Sequence, residues 1–168
     1  MKKFVIRDLS LTVIVTFTFL LDNGHIAVQT IMGLGIGLLI YLMHEWSHYL
    51  AGLATGAALS RAKAIYSPFL FSFDSRTNSR KQFIDMSWPG FVTTFGSLAI
   101  LFFFRPAALW SDIAWLAAVV LSLFTLIIEG PIFLWAILIG EIPAVEIPGL
   151  GNNSIFKKLR DWPAQFFR

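Results

Sequence analysis

The chain has 168 residues, 57% of them hydrophobic and 14% charged, with a formal net charge of +3. Soluble domains of this size sit nearer half apolar and a quarter charged, so the composition points to an integral membrane protein. Cysteine is absent, which excludes disulfides, thiolate metal sites and cysteine nucleophiles and leaves His, Asp and Glu to bind any transition metal.

In chain order, four apolar blocks predict an all-α integral membrane protein. The expectation is about four transmembrane helices, a short extended or β-hairpin segment after the second, and a single membrane domain over 1–168. Lys2, Lys3 and Arg7 precede the first span, expected at about 9–25. It resembles the apolar core of a signal peptide, but Asp22-Asn23-Gly24-His25 stand where a small-residue cleavage site belongs, so it reads as a retained span. The second block, 26–59, is long for one crossing, which takes about 20 residues. A loop at 60–85 follows, then spans at about 86–104 and 113–140. Within the loop Ile65, Phe69, Phe71 and Phe73 recur largely at every second place and Pro68 disfavours a helix. That pattern predicts extended chain, with a hairpin turn near 74–78. The tail at 152–168 puts Ile155, Phe156, Leu159 and Trp162 on one helical side, as an amphipathic basic segment at the lipid interface does.

The charges order these spans. Lys2, Lys3 and Arg7, then Arg61, Lys63, Arg76, Arg80 and Lys81, then Lys157, Lys158, Arg160 and Arg168 all fall on one side of a four-span arrangement, with only Arg105 on the other. The positive-inside rule then predicts that both termini and the 60–85 loop are cytoplasmic. The positive charge is thereby assigned to topology and anionic lipid, and nucleic acid is not expected as a partner.

The second block contains His44-Glu45-Trp46-Ser47-His48, an H-E-x-x-H pattern. Residues four apart share a helix face, about 6 Å along the axis, so two imidazoles can meet one zinc ion while the adjacent glutamate acts as general base. An ionised group near mid-bilayer costs roughly 2.5–3.5 kcal/mol, so such residues are seldom idle; the bland alternative is hydrogen-bonding glue between helices. Zinc needs a third protein ligand. His25, 19 residues before His44, is about 28 Å away on a continuous helix and reads as interfacial. Of the acids, only Glu45 and Glu129 lie deep in apolar blocks. Entering from outside near Ile26 and Ile113, His44 and Glu129 lie about 27 and 24 Å down their helices, at similar height. Glu129 is therefore the expected third ligand, with Asp85 in reserve. Gly130-Pro131 directly after it predicts a kink. Trp88-Pro89-Gly90 opens the third block, where proline suits a first helical turn; Thr93 or Thr94 is a candidate near substrate.

These motifs resemble, in order, those of the site-2 protease family of intramembrane zinc metalloproteases. His44-Glu45-x-x-His48 continues into Tyr49, Leu50, Ala51 and Gly52 within a span. Ala54-Thr55-Gly56 leads into an aromatic extended loop where the family has β-structure. Trp88-Pro89-Gly90 with Thr93 and Thr94 is similar to the family's Gly-Pro-x-x-Asn helix start, with proline and glycine swapped and no asparagine. Glu129-Gly130 falls where the family carries Asp-Gly, without its proline-rich lead-in. The resemblance spans about 36–139 and implies a minimal core of that family: Zn2+ on His44, His48 and Glu129, Glu45 as catalytic base, and Phe69, Phe71 and Thr94 at the substrate. The implied substrate is a transmembrane segment of another protein. The alternative is a non-proteolytic membrane scaffold or regulatory relative that keeps the fold. Three histidines are too few for a di-iron membrane oxygenase, and no paired repeats suggest a transporter.

Overall fold

The computed structural model describes residues 1–142, so the expected tail at 152–168 lies outside the described residues. The architecture is mostly helical. Its elements are α1 (Lys2–Leu20), α2 (Ile26–Ala54), β1 (Leu59–Arg61), β2 (Phe71–Phe73), α3 (Arg80–Phe104) and α4 (Leu109–Leu138). Among the described residues α2, α3 and α4 are long and apolar enough to cross a membrane. α1 has only its 9–20 stretch free of charge, about 18 Å of helix.

Helix ends follow local chemistry. α1 stops at Leu20, before the expected 25, because a turn intervenes: Asp22 Oδ1 accepts the Gly24 N–H at 2.9 Å and Gly24 has φ 82°. His25 then N-caps α2, its Nδ1 accepting the Ala27 N–H. α2 ends at Ala54 rather than 59. Gly56 takes a left-handed conformation at φ 67°, and the Gly56 and Ala57 N–H groups close on the carbonyls of Leu53 and Gly52. The rest of the long second block turns into β1. α3 begins at Arg80, ahead of the expected 86, because Ser79 and Gln82 form a capping box. Pro89 consequently lies inside α3 and not in its first turn.

The two strands are antiparallel, with Leu59 opposite Phe73 and Arg61 opposite Phe71. The 62–70 segment joins them, and the turn at 74–78 leads into α3 instead of closing a hairpin. Asn78 decides this. Its side chain bonds Ala58 N–H and Ala58 O, and also Asp74 O, locking the turn against the start of β1.

α2 is the central helix, packed on α1, α3 and α4. Lipid is as apolar as leucine, so helices in it associate through close packing and hydrogen bonds. The glycines of α2 supply the closeness. Side chains at Gly33 and Gly37 would collide with α4, their Cβ falling 2.6 Å from the Trp110 carbonyl and 2.5 Å from the Ala117 Cβ, while Gly35 receives Val15 of α1. Four residues apart, Gly33 and Gly37 form a small-x-x-x-small face that lets α4 lie against α2. Below this contact Phe83, Met86, Phe91, Phe133 and Ala136 join α3 to α4 in one core.

Candidate metal centre

About ten residues before the end of α2, some 15 Å along its axis, His44 and His48 share a face as their spacing demands. α3 crosses that face, and α4 arrives beside it with Glu129. Three atoms converge. His44 Nε2 and His48 Nε2 are 3.0 Å apart, and Glu129 Oε2 lies 3.2 Å from the first and 3.1 Å from the second. All three residues are withdrawn from solvent, their side chains 1%, 7% and 14% exposed.

The far side of each ring determines what faces the triangle. His48 Nδ1 lies 2.9 Å from the Met86 carbonyl, and His44 Nδ1 lies 3.0 Å from the Gly90 carbonyl and 2.8 Å from Thr94 Oγ1. A carbonyl only accepts, so each Nδ1 carries the hydrogen and donates it outward. Both Nε2 lone pairs then point at a carboxylate oxygen. With both rings neutral and the carboxylate ionised, three acceptors face one another, an arrangement that a cation, whether a proton or a metal ion, resolves. A tetrahedral zinc ion with ligands at about 2.0–2.1 Å spaces them about 3.3–3.4 Å apart. The observed edges of 3.0–3.2 Å fit one triangular face of such a shell after a small expansion. The group His44, His48 and Glu129 is thus close enough to hold a metal ion.

Pro89 sits between the two carbonyls that hold the imidazoles. It contributes no N–H to the helix ladder, which loosens α3 on this face. Gly90 adds room, because a Cβ there would overlap Cε1 and Nε2 of the His48 ring. Gly90→Ala is therefore expected to swing His48 off the triangle and weaken metal binding by about 10–100-fold, the range seen when a ligand loses its orientation. Equilibrium titration of zinc into the purified variant checks this.

A cavity of about 530 Å³, counting its mouth, opens beside the triangle and is lined by Glu45, His48 and Glu129 on one side and by apolar side chains including Phe69, Phe71, Phe73, Phe83 and Ile132 on the other. Glu45 is 2% exposed, and its Oε2 accepts the Leu70 N–H at 3.2 Å. Glu45 thus shares a cavity with His48 and Glu129.

The sequence-derived candidates fall as follows. His44, His48 and Glu129 come together, and Glu45 stands beside them. Phe69 and Phe71 line the cavity. Thr94 is not among the cavity's lining residues: it is buried, with its Oγ1 2.8 Å from His44 Nδ1. Asp85, the reserve ligand, lies outside the group and pairs with Lys81 on an exposed part of α3. His25 remains at the opposite end of α2. The outer partners of the imidazoles, Met86 and Gly90, were not among the candidates, since they act through backbone oxygens that carry no side-chain signature. Gly33 and Gly37 were also missed, though their spacing was readable.

Compared with protein-family models, with curated proteins and with solved structures, the chain matches none.

Proposed function

We propose that this chain is a multi-pass zinc metalloprotease that hydrolyses a peptide bond in or near a transmembrane segment of another membrane protein, as the site-2 protease family does. The observation that carries this reading is the convergence of His44, His48 and Glu129 beside the cavity that also holds Glu45. Zinc held there would act as a Lewis acid, acidifying a water molecule and polarising the scissile carbonyl. Glu45 takes a proton from that water as its oxygen bonds to the carbonyl carbon, then delivers the proton to the amine as the C–N bond breaks. The rings of Phe69, Phe71 and Phe73 accept apolar side chains. β2 has one edge on β1 and leaves the other for an unwound substrate segment to pair with.

The proposed topology has four spans. α1 runs antiparallel to α2 along its length, Val15 meeting Gly35 and Asp8 meeting Trp46. Its short apolar run suits a helix whose charged first turns stay at the cytoplasmic interface. Both termini then face the cytoplasm, and water reaches the cavity from that side.

The test is direct. The chain purified in detergent should hold about one zinc per molecule, as expected for three protein ligands plus water, and should cleave a reporter containing a transmembrane helix. A chelator should abolish cleavage and added zinc restore it. Zinc with no cleavage of any helical reporter would favour a non-proteolytic relative of the same architecture.

A further inference from the structure

The carboxylate of Glu45 is held by a segment foreign to its own helix. The donor on Oε2 is the backbone N–H of Leu70, in the irregular 62–70 stretch. Leu70 is fully buried and packs with Tyr49 and with Phe4 of α1. α1 is otherwise an exposed helix in which only Phe4 and Val15 are buried. Its first two turns send three more groups to this region. Lys3 Nζ donates to the Lys63 carbonyl. Arg7 Nη1 donates to the carbonyls of Ile65 at 2.8 Å and Ser67 at 3.1 Å. Asp8 binds Arg7 Nε through one oxygen and, through the other, accepts Trp46 Nε1–H at 2.7 Å. Trp46 is the residue after Glu45.

One dipeptide therefore pins both sides of the carboxylate. Asp8 fixes α2 at its neighbour, and Arg7 fixes the loop whose next residues carry Leu70. This arrangement leaves part of the Arg7 guanidinium over, since its Nη2 is buried with no partner among the described residues. A group that keeps an unmade hydrogen bond adds little stability of its own; what it secures is the path of the loop. Neither Arg7 nor Asp8 belongs to the ligand triangle or lines the cavity.

We infer that Arg7 and Asp8, seated by Phe4, are positioning residues for Glu45: α1 braces the 62–70 segment so that the Leu70 N–H stays on the carboxylate. The catalytic consequence rests on the metalloprotease reading; the brace does not. A base must stay within hydrogen-bond reach of its proton, and an irregular loop holds a donor there only if something anchors it.

The experiment compares the native full chain with Arg7→Ala, Arg7→Lys and Asp8→Asn in detergent, by hydrogen exchange at the Leu70 amide, zinc per chain and reporter kinetics. Arg7→Ala should exchange at Leu70 about tenfold faster or more, because local opening no longer has to break the two loop bonds. Amides of the 40–52 stretch and the zinc content should not change. kcat should fall about 10–100-fold with KM little altered, as for a displaced reacting group. Arg7→Lys should recover part of both effects. Leu70 exchange indistinguishable from native in both Arg7→Ala and Asp8→Asn overturns the inference. A native chain that cleaves no reporter removes the protease reading, yet the exchange comparison still decides the brace. Should Arg7→Ala fail to fold, Asp8→Asn and Arg7→Lys decide it.

Discussion

Replacing Glu45 by glutamine is expected to lower kcat for reporter cleavage by about 10²–10⁴-fold, the usual worth of a positioned general base, with zinc content equal to that of the native chain. Glutamine has the same length, and its amide oxygen can still accept the Leu70 N–H that the carboxylate accepts at 3.2 Å. Glu45 is also not one of the three converging ligands. The substitution thus leaves shape and metal in place and removes only the ability to take a proton and return it. Zinc per chain and kcat, measured on the same preparation, separate the possible roles. Full activity would end the assignment of Glu45 as base. A parallel loss of zinc would instead make Glu45 a support for the ligands.

Much of this site was legible because its chemistry is local or arithmetical. His44 and His48 needed only the helical repeat. Glu129 needed only the depth of two apolar blocks, since a helix converts residue number into height at a fixed rise. In the structure α2 and α4 run in the same direction, and His44 and Glu129 meet at one level. The sequence also carried Gly33 and Gly37, which bring α4 against α2 closely enough for a glutamate to reach the imidazoles.

The illegible parts involve partners far apart in the chain with no repeating pattern between them. Arg7 reaches Ile65 and Ser67 about 60 residues away, through carbonyls that any residue type would offer. The pairing of β1 with β2 is set by Asn78, whose side chain fastens Ala58, and short strands carry little periodicity to reveal it. Pro89 misled for a different reason. Proline favours a first turn, but a capping box some ten residues earlier had already started the helix, and α3 runs on through Pro89 without its N–H. Pro89 lies between the two carbonyls that orient His44 and His48, so what looked like a boundary signal belongs to the site.

Glu129 gives the sharper test of whether a metal or mere packing explains these polar groups. A structural zinc site is worth about 10–16 kcal/mol; shared among four ligands, one contributes roughly 2.5–4 kcal/mol, so Glu129→Ala should weaken zinc binding by about 10²–10³-fold. Alanine would also disrupt a metal-free network, and glutamine resolves that ambiguity. In neutral rings whose Nδ1 hydrogens go to carbonyls, the two Nε2 atoms face Glu129 as acceptors. The glutamine amide brings hydrogens to these acceptors, where the ionised carboxylate brings none. If the helices are held only by hydrogen bonds or by an ion pair with a protonated imidazole, zinc should shift neither the native chain nor Glu129→Gln, and with neutral imidazoles Glu129→Gln should be at least as stable as native. If the three residues hold zinc, the native chain gains about 2.7 kcal/mol when free zinc is 100 times its Kd, and Glu129→Gln forfeits most of that gain while folding normally without metal. Denaturation of both chains with and without zinc reads the difference, since the charge on residue 129 helps only when a cation sits opposite it.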